Sequence, residues 1–309
     1  MKVIFMGTPD FAVNTLREIV KAGHEVIGVV TQPDKAKGRG GKLSFPEVKE
    51  AALELNLPIY QPAKVKDPEF IQKIRDLKPE VIVVAAFGQI LPKDILDIPT
   101  YGCINVHASL LPKYRGAAPI QAAIINGEKE TGVTIMHMDV GLDTGDMILQ
   151  EKVPIGEDET GGSLHDKLAD LGAKLLVKAL EQIKKGTAKR VPQDDSQATY
   201  AKMLDKEMGN IDFTKPAAYI ERLIRGLNPW PSAYTKLNGK TLKLWKAAVK
   251  EYSACAKPGE VVEVNKDSIV VMTGKDALEI LELQLEGKKR LSADEFLRGY
   301  KIEKGIVLG

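Results

Sequence analysis

Asn105 and His107 lie two residues apart at the end of an apolar segment, and Asp143 follows a second apolar segment, residues 133–138. Successive side chains of a strand alternate between its faces, so Asn105 and His107 share the face opposite to that of Val106. An amide donor, an imidazole and a carboxylate suit acyl transfer to an amine. By spacing alone, Asn-x-His is equally consistent with a hydrogen-bonded core pair. Asp143, presented on a Gly-rich loop, favours the chemical interpretation.

Strands and helices alternate through the first part of the chain, and these elements would carry the three side chains. The apolar pattern predicts strands at 3–6, 26–30, 81–85 and 102–106, and helices at 11–21, 46–55, 68–77, 117–126 and 163–185. This alternation predicts an α/β fold with a doubly wound, mostly parallel, Rossmann-like sheet. Ligands of such sheets bind at the carboxyl ends of the strands, where Asn105 and His107 lie.

The last third of the chain has short β-rich segments, 241–244, 259–264, 268–273 and 278–285. Asn238 and Gly239 between apolar runs predict a type I′ hairpin. We expect a catalytic domain at 1–189, a polar linker at 190–207 and a small β-barrel domain at 208–309.

Two nucleotide-binding motifs are incomplete. Pro9 and Ala12 replace the second and third glycines of a dinucleotide fingerprint, which disfavours a nicotinamide oxidoreductase. Ala36 and Leu43 stand where a phosphate loop needs Gly and Ser or Thr. Residues 32–42 are better explained as a mobile basic loop.

The segment from Asn105 to Pro112, together with Asp143, resembles the folate-dependent formyltransferases. Four further segments support the resemblance in the expected order: Gly7-Thr-Pro-Asp-Phe-Ala12, the basic loop 32–42, Ala86-Phe-Gly-Gln-Ile-Leu-Pro92 and Arg225-Gly-Leu-Asn-Pro-Trp230-Pro-Ser-Ala-Tyr234. The basic loop and the Asn-Pro-Trp segment are similar to the members that act on initiator methionyl-tRNA. One departure is Lys113, where many relatives have Arg.

The resemblance implies transfer of a formyl group from 10-formyltetrahydrofolate, as co-substrate, to the α-amine of initiator methionyl-tRNA. We expect direct attack of the amine on the formyl carbon, with His107 as base, Asn105 as donor to the oxyanion and Asp143 orienting His107. No covalent enzyme intermediate is needed. By resemblance, the folate pocket is lined by Ser109, Leu110, Leu111, Pro112, Phe87, Gly88 and Leu91, and the second domain is an OB-like barrel.

Nucleic-acid contacts must come from local basic patches, because the net charge is only +2. In the basic loop, Lys37, Arg39 and Lys42 are suited to a phosphate backbone, although composition alone also allows a surface loop that binds nothing. In the second domain, Lys243 and Lys246 belong to a lysine run without acidic residues, for which a solvated strand face is an equally good explanation.

The composition limits the class of protein. With 309 residues, 44% of them hydrophobic, the chain can bury a core in each of two domains. The two cysteines are far apart and the four histidines scattered, so we predict no metal and a reducing, cytoplasmic setting. No apolar run is long enough for a signal peptide or a membrane span. We expect a monomer.

Two alternatives stay open from sequence. One is a formyltransferase for a small amine, such as glycinamide ribotide or an amino sugar nucleotide, which would not require the second domain or the Arg39 loop. The other is a nucleic-acid-binding module with a decayed enzyme domain, which would bind tRNA in a salt-dependent way without turnover.

Overall fold

The computed structural model describes residues 1–37, 42–253 and 255–309. The chain forms two compact units. The first contains residues 1–119, 130–153 and 165–201, and the second contains 120–129, 154–164 and 202–309. The predicted boundaries at 189 and 207 stay a prediction. Within the described residues, no helix has a segment both long and apolar enough to cross a bilayer.

The strands are β1 (Lys2–Gly7), β2 (Glu25–Val30), β3 (Lys35–Lys37), β4 (Lys42–Ser44), β5 (Ile59–Tyr60), β6 (Val81–Ala85), β7 (Cys103–His107), β8 (Arg115–Gly116), β9 (Glu130–His137), β10 (Met147–Pro154), β11 (Tyr200–Ala201), β12 (Ala233–Leu237), β13 (Lys240–Lys250), β14 (Val261–Val264), β15 (Ile269–Met272), β16 (Ala277–Leu285) and β17 (Leu291–Ser292). The helices are α1 (Val13–Lys21), α2 (Glu47–Glu54), α3 (Pro68–Leu77), α4 (Lys93–Leu96), α5 (Pro119–Ile125), α6 (Gly161–Lys184), α7 (Ala217–Gly226) and α8 (Ala293–Gly299).

A seven-stranded sheet with the order β10-β9-β7-β6-β1-β2-β5 forms the first unit. The pairs of β1 with β2 and β6, of β2 with β5 and of β6 with β7 are parallel, whereas β7 and β9 are antiparallel. The predicted α/β fold with a mostly parallel sheet is confirmed. The chain runs from β1 to β2 on one side and to β6 on the other, so the strand order reverses between β1 and β6. A crevice for ligands is expected at that point.

Strand β6 is buried along its whole length, as its continuous apolar sequence predicts for a strand covered on both faces. It pairs with β1 in register from Val3 with Val81 to Gly7 with Ala85. A Cβ on Gly7 would lie 2.7 Å from Ala12 Cβ and 2.9 Å from Ala85 O, so only glycine allows the following turn to pack this closely on the strand end.

An antiparallel sheet with the order β12-β13-β16-β15-β14 forms the second unit, and β17 pairs with β16. Asn238 and Gly239 connect β12 to β13 with φ of 50° and 77°, which matches the predicted type I′ turn. The core of this unit includes Leu244, Ile280 and Leu283 from the sheet and Ile220 from α7, a helix that the residue pattern did not predict. The antiparallel sheet is confirmed, and its closure into an OB-like barrel stays a prediction.

Candidate active site

Asn105 and His107 project from the end of β7, which lies between β6 and β9 in the sheet. Asn105 is aligned with Val84 of β6 and His107 with Thr134 of β9. Backbone pairing on both sides therefore fixes the positions of both residues along the strand direction. All five residues of β7 are buried, and Asn105 and His107 keep only 9% and 6% of their surface exposed. The two polar side chains therefore lie in a site that largely excludes water.

One nitrogen of the His107 ring is already committed. Its Nε2 lies 2.9 Å from the carbonyl oxygen of Tyr114. A carbonyl oxygen only accepts, so Nε2 carries a hydrogen and Nδ1 is the basic nitrogen of the neutral ring. The backbone of Tyr114 thus sets both the ring orientation and the tautomer.

Asp143 reaches the site from the loop between β9 and β10. Its Oδ1 lies 3.5 Å from Asn105 Nδ2, and its Oδ2 accepts from the backbone N–H of Gly116 at 2.8 Å. Oδ2 is 3.8 Å from His107 Nδ1, which is longer than a hydrogen bond. The ring is therefore oriented by Tyr114 rather than by Asp143, and the carboxylate is placed to stabilise the ring once Nδ1 is protonated. The structure brings all three predicted residues together.

Gly116, whose amide donates to Asp143, is required by the close packing of β8 on β11. Its φ is 112°, and a Cβ there would lie 2.5 Å from the carbonyl oxygen of Ala201. No other residue fits such a position without moving β11.

Ser109 and Leu111 belong to the turn after β7, and their polar groups are used within the protein. Ser109 Oγ donates to Lys113 O at 2.7 Å, and Ser109 O accepts from Thr134 Oγ1 at 2.6 Å. Leu111 N donates to Thr134 Oγ1 at 3.1 Å, and Leu111 O accepts from Gln150 Nε2 at 2.8 Å. These bonds shape the turn, while Leu110 and Pro112 are partly exposed. Contact of this segment with folate stays a prediction.

The segment after β6 leaves the sheet beside the turn after β7, because β6 and β7 are parallel neighbours. Phe87 and Leu91 are buried in the core, so their side chains face away from solvent. Gly88 is exposed with φ of 85°, and Ile90 is 82% exposed. Ala86, Gly88 and Ile90 are thus the exposed members of this segment.

Among the described residues, the site has no reactive thiol, although Cys103 lies on the same strand. Cys103 is buried, and this burial raises the pKa of its thiol to about 12, which keeps it protonated. Within residues 1–37, 42–253 and 255–309, no group of three or more His, Cys, Asp and Glu side chains is placed to hold a metal ion. The donors present suit proton transfer and oxyanion binding.

Sequence reasoning missed Arg115 and Gln193, which lie directly behind Asp143. Gln193 Nε2 donates to the backbone oxygens of Asp143 at 2.7 Å and Gly145 at 2.9 Å. Arg115 donates to Gln193 Oε1 from Nε at 3.1 Å and from Nη2 at 2.9 Å. Burial opposes the charge on Arg115, but hydrogen bonds with Asp195 and Tyr200 outweigh it and raise its pKa. Gln193 falls in a polar stretch that reads as a linker, and its neighbours give no signal of this role.

Two domain models and many full-length relatives match this chain. A model described as "Formyl transferase" matches residues 1–180, and "Formyl transferase, C-terminal domain" matches 203–301. A methionyl-tRNA formyltransferase of Agathobacter rectalis is 57% identical over 305 residues, which cover 99% of this chain and 98% of that protein. One of Clostridioides difficile is 54% identical over 309 residues, with both chains fully covered. This chain belongs to the methionyl-tRNA formyltransferase family.

Solved structures of more distant proteins share the fold. The N-formyltransferase of Helicobacter canadensis, solved with folinic acid and dTDP-3-aminofucose, has a TM-score of 0.67 at 20% identity and covers 91% of this chain and 99% of that chain. HypX of Aquifex aeolicus, solved with tetrahydrofolic acid, has a TM-score of 0.64 at 18% identity. This chain is matched over 99% of its length but spans only 50% of HypX. The resemblance to folate-dependent formyltransferases is confirmed, and the chain is a formyltransferase.

Both units contain lysines that are predicted to contact tRNA. Arg39 lies outside the described residues, and Lys37 and Lys42 pair through their backbones where β3 meets β4. In the second unit, β13 has a bulge between Leu244 and Ala247, the two core-facing positions, and this bulge contains Lys246. Lys246 is exposed.

Lys243 lies on the outer face of β13 beside an aromatic ring. Its Nζ is 5.6 Å from the centroid of the Trp245 ring, and the guanidinium carbon of Arg290 is 5.0 Å from the same centroid. Trp245 Nε1 donates to Gln284 Oε1 at 3.2 Å. This outer face therefore combines positive charge with an aromatic ring, a combination typical of nucleic-acid-binding surfaces.

Proposed function

We propose that this chain transfers the formyl group of 10-formyltetrahydrofolate to the α-amino group of initiator methionyl-tRNA, with Asn105, His107 and Asp143 as catalytic residues. The observation that supports this most strongly is the convergence of the three side chains at one buried strand end. The basic nitrogen of His107 is the one on the side of Asp143. The proposal includes a monomeric enzyme that acts in the cytoplasm.

His107 acts as the base for the attacking amine. An α-amine is protonated near neutral pH, with an ordinary pKa close to 8, and it attacks only as the neutral form, so the ammonium form first releases one proton to the solvent. As the nitrogen–carbon bond forms, Nδ1 of His107 accepts one amine proton. The ring then carries a positive charge, which the Asp143 carboxylate 3.8 Å away stabilises. When the tetrahedral intermediate collapses, the same proton passes to N10 of the leaving tetrahydrofolate.

Asn105 stabilises the oxyanion of the tetrahedral intermediate. Its amide N–H is a neutral donor that is ready at every pH, and its burial strengthens its interaction with a developing negative charge. The long 3.5 Å contact with Asp143 Oδ1 leaves Nδ2 only weakly engaged before substrate binds. One oxyanion donor of this kind is worth about a hundredfold to a thousandfold in kcat.

The co-substrate is expected in the crevice at the carboxyl ends of β1, β6 and β7. The strand order reverses there, which is where ligands of open α/β sheets bind. Exposed Gly88 and Ile90 on one side and Leu110 and Pro112 on the other offer backbone and apolar surface to a flat pteridine. Phe87, Leu91, Ser109 and Leu111 hold these walls in shape.

The acceptor is a tRNA in this proposal, and two groups of basic residues would contact it. Lys37, Arg39 and Lys42 in the basic loop, and Lys243 and Lys246 on the second unit, would pair with backbone phosphates. Two relatives more than 50% identical over essentially their full length, both methionyl-tRNA formyltransferases, support this acceptor over a small amine.

The first experiment measures transfer of labelled formyl from 10-formyltetrahydrofolate to three acceptors: initiator methionyl-tRNA, elongator methionyl-tRNA and glycinamide ribotide. We expect formylation of the initiator alone. Transfer only to the small amine would keep the catalytic residues and replace the acceptor. Salt-dependent tRNA binding without any transfer would replace the enzyme by a binding module.

The basic loop is tested by Arg39→Ala, with Lys21→Ala on α1 as a control that removes the same charge. Loss of one phosphate contact should raise the KM for tRNA by about tenfold and leave the KM for folate unchanged. Equal KM values for tRNA in both variants would remove Arg39 from the acceptor site.

A further inference from the structure

Residues 193–201 form a largely exposed segment of the first unit that contacts the backbone behind both His107 and Asp143. At one end, the side chain of Gln193 bonds the loop that carries Asp143. At the other, Thr199 bonds the peptide that holds the His107 ring. The two contacts are separate, so each can be removed without the other.

The Gln193 amide has all of its hydrogen-bonding capacity in use. Its oxygen accepts twice from Arg115, and its nitrogen donates twice, to Asp143 O and Gly145 O. A primary amide has two acceptor sites and two donor hydrogens, so the orientation of this side chain is fully determined. Rotation of the amide would place its hydrogens against those of the buried guanidinium. Gln193 therefore fixes the position of the backbone from which the Asp143 carboxylate projects.

This support matters because the Asp143 backbone is in a rarely populated conformation. Its φ is 53°, in the left-handed region, which costs a non-glycine residue about 1 kcal/mol or more. Neighbouring Leu142 is 54% exposed, so the loop has little packing of its own. Bonds to the carbonyl oxygens of Asp143 and Gly145 supply the constraint that packing does not.

Thr199 supports the other catalytic group through Tyr114. Thr199 Oγ1 accepts from Tyr114 N at 2.9 Å, and Thr199 O accepts from Arg115 N at 2.8 Å. Tyr114 also has a left-handed backbone, with φ of 60°. Its carbonyl oxygen is the group that accepts from His107 Nε2. The hydroxyl of Thr199 thus helps to aim the carbonyl that selects the tautomer of His107.

We propose that Gln193 and Thr199 are positioning residues, Gln193 acting through Asp143 and Thr199 acting through His107. This inference rests on the proposed catalytic roles of those two residues. Neither positioning residue needs to touch substrate. A displacement of about 1 Å at a reacting group can cost about a hundredfold in rate, so their loss should be visible in kcat.

The variants are chosen to remove one bond type each. Gln193→Glu keeps an acceptor for Arg115 but has no hydrogen to donate to Asp143 O and Gly145 O. Thr199→Val removes the acceptor for Tyr114 N, and Thr199→Ser restores it. Gln197→Glu is the control, because it adds the same charge in the same segment and, among the described residues, its side chain is hydrogen-bonded to Asp194 alone.

We expect Gln193→Glu and Thr199→Val each to lower kcat by about tenfold to a hundredfold, with the KM for 10-formyltetrahydrofolate within about twofold. Thr199→Ser should recover most of the activity, and Gln197→Glu should match the unaltered enzyme. Loss in the control equal to that in Gln193→Glu would overturn the proposal.

Double variants test which catalytic residue each positioning residue acts through. Gln193→Glu should have little further effect when Asp143 is already Asn, and little when His107 is already Ala, because Asp143 acts on the charge of His107. Thr199→Val should have little further effect when His107 is already Ala, but its full effect when Asp143 is already Asn. Effects that multiply fully in every background would overturn the inference. If Asp143→Asn and His107→Ala leave kcat unchanged on their own, the proposed function fails instead. Thr199 is exposed, so the Thr199 variants still test the proposal if Gln193→Glu does not fold.

Discussion

The end of β7 and the loop of residues 139–146 hold their catalytic groups in different ways. Asn105 and His107 sit on a fully buried strand that pairs on both edges. In the loop, Val140 and Leu142 are 72% and 54% exposed, and Asp143 has a left-handed backbone. Strand pairing fixes the first two groups, whereas hydrogen bonds from distant residues fix the third. Hydrogen bonds can therefore hold a catalytic group in place on a loop that packs little against the core.

The largest effect should come from the strand. Asn105→Ala removes the proposed oxyanion donor from a buried position that water cannot easily refill. We expect kcat to fall by about a hundredfold to a thousandfold, with the KM for folate little changed. Asn14→Ala, at a partly exposed position on α1, is the control. Steady-state formylation of initiator methionyl-tRNA measures this, and an unaltered kcat would remove Asn105 from the chemistry.

On the loop side, Asp143→Asn should cost less, about tenfold to a hundredfold in kcat. Asn tolerates a left-handed backbone, so the loop keeps its conformation while the charge is lost. The imidazolium formed on His107 would then lack its carboxylate neighbour. A loss larger than that of Asn105→Ala would reverse the comparison and make the loop the dominant catalytic element.

The turn that follows β7 can be weakened without touching the catalytic groups. Thr134→Val leaves Ser109 O and Leu111 N without their buried partner, so the free energy of unfolding should fall by about 1–3 kcal/mol. Thr15→Val is the matched control, because its buried Oγ1 has no hydrogen-bond partner among the described residues. Urea unfolding of both variants measures the difference, and equal midpoints would contradict the assignment.

The smallest effect concerns the base of the loop, where His137 N donates to Asp146 O at 2.8 Å. Burial, assisted by Arg190, lowers the pKa of His137 to about 4 from the ordinary value of 6.5. The folded protein therefore binds fewer protons than the unfolded chain between these values. This contribution to stability is complete above pH 6.5 and is lost as the pH falls towards 4.

Thermal unfolding between pH 7 and pH 4 tests this, with His137→Gln as the comparison. The Tm of the unaltered protein should fall by a few degrees more than that of the variant, on the order of 2–4 °C for each kcal/mol. Parallel curves would show that the ring is solvated when charged.

Much of the first unit follows from sequence because its strands are continuous apolar runs. Strand β6 and helix α3 have the predicted bounds, and the Asn238–Gly239 turn has the predicted geometry. Helix α7 was not foreseen, and neither was the short strand β11 at the end of the polar segment. Such elements depend on partners distant in the chain rather than on a local period.

The same reason separates the predictable part of the site from the rest. Asn105 and His107 follow from strand alternation, and Asp143 from its position on a Gly-rich loop. Gln193 lies 50 residues from Asp143, and its role depends on a side chain meeting a backbone. No residue type or spacing predicts a contact of that kind. The orientation of His107 by a Tyr114 carbonyl was likewise invisible, because every residue offers a carbonyl.

The bond from His107 Nε2 to Tyr114 O has a consequence for how the catalyst is renewed. Because Nε2 keeps its hydrogen in the bond to Tyr114 O, the ring can take up only one additional proton. That proton enters and leaves through Nδ1. Attack by the neutral amine releases one proton and N10 takes up one, so each cycle restores the neutral ring by itself, and the proton that the ammonium form loses beforehand passes to the solvent. The enzyme then needs no proton donor from the medium between cycles, and its turnover should not depend on buffer concentration at constant pH.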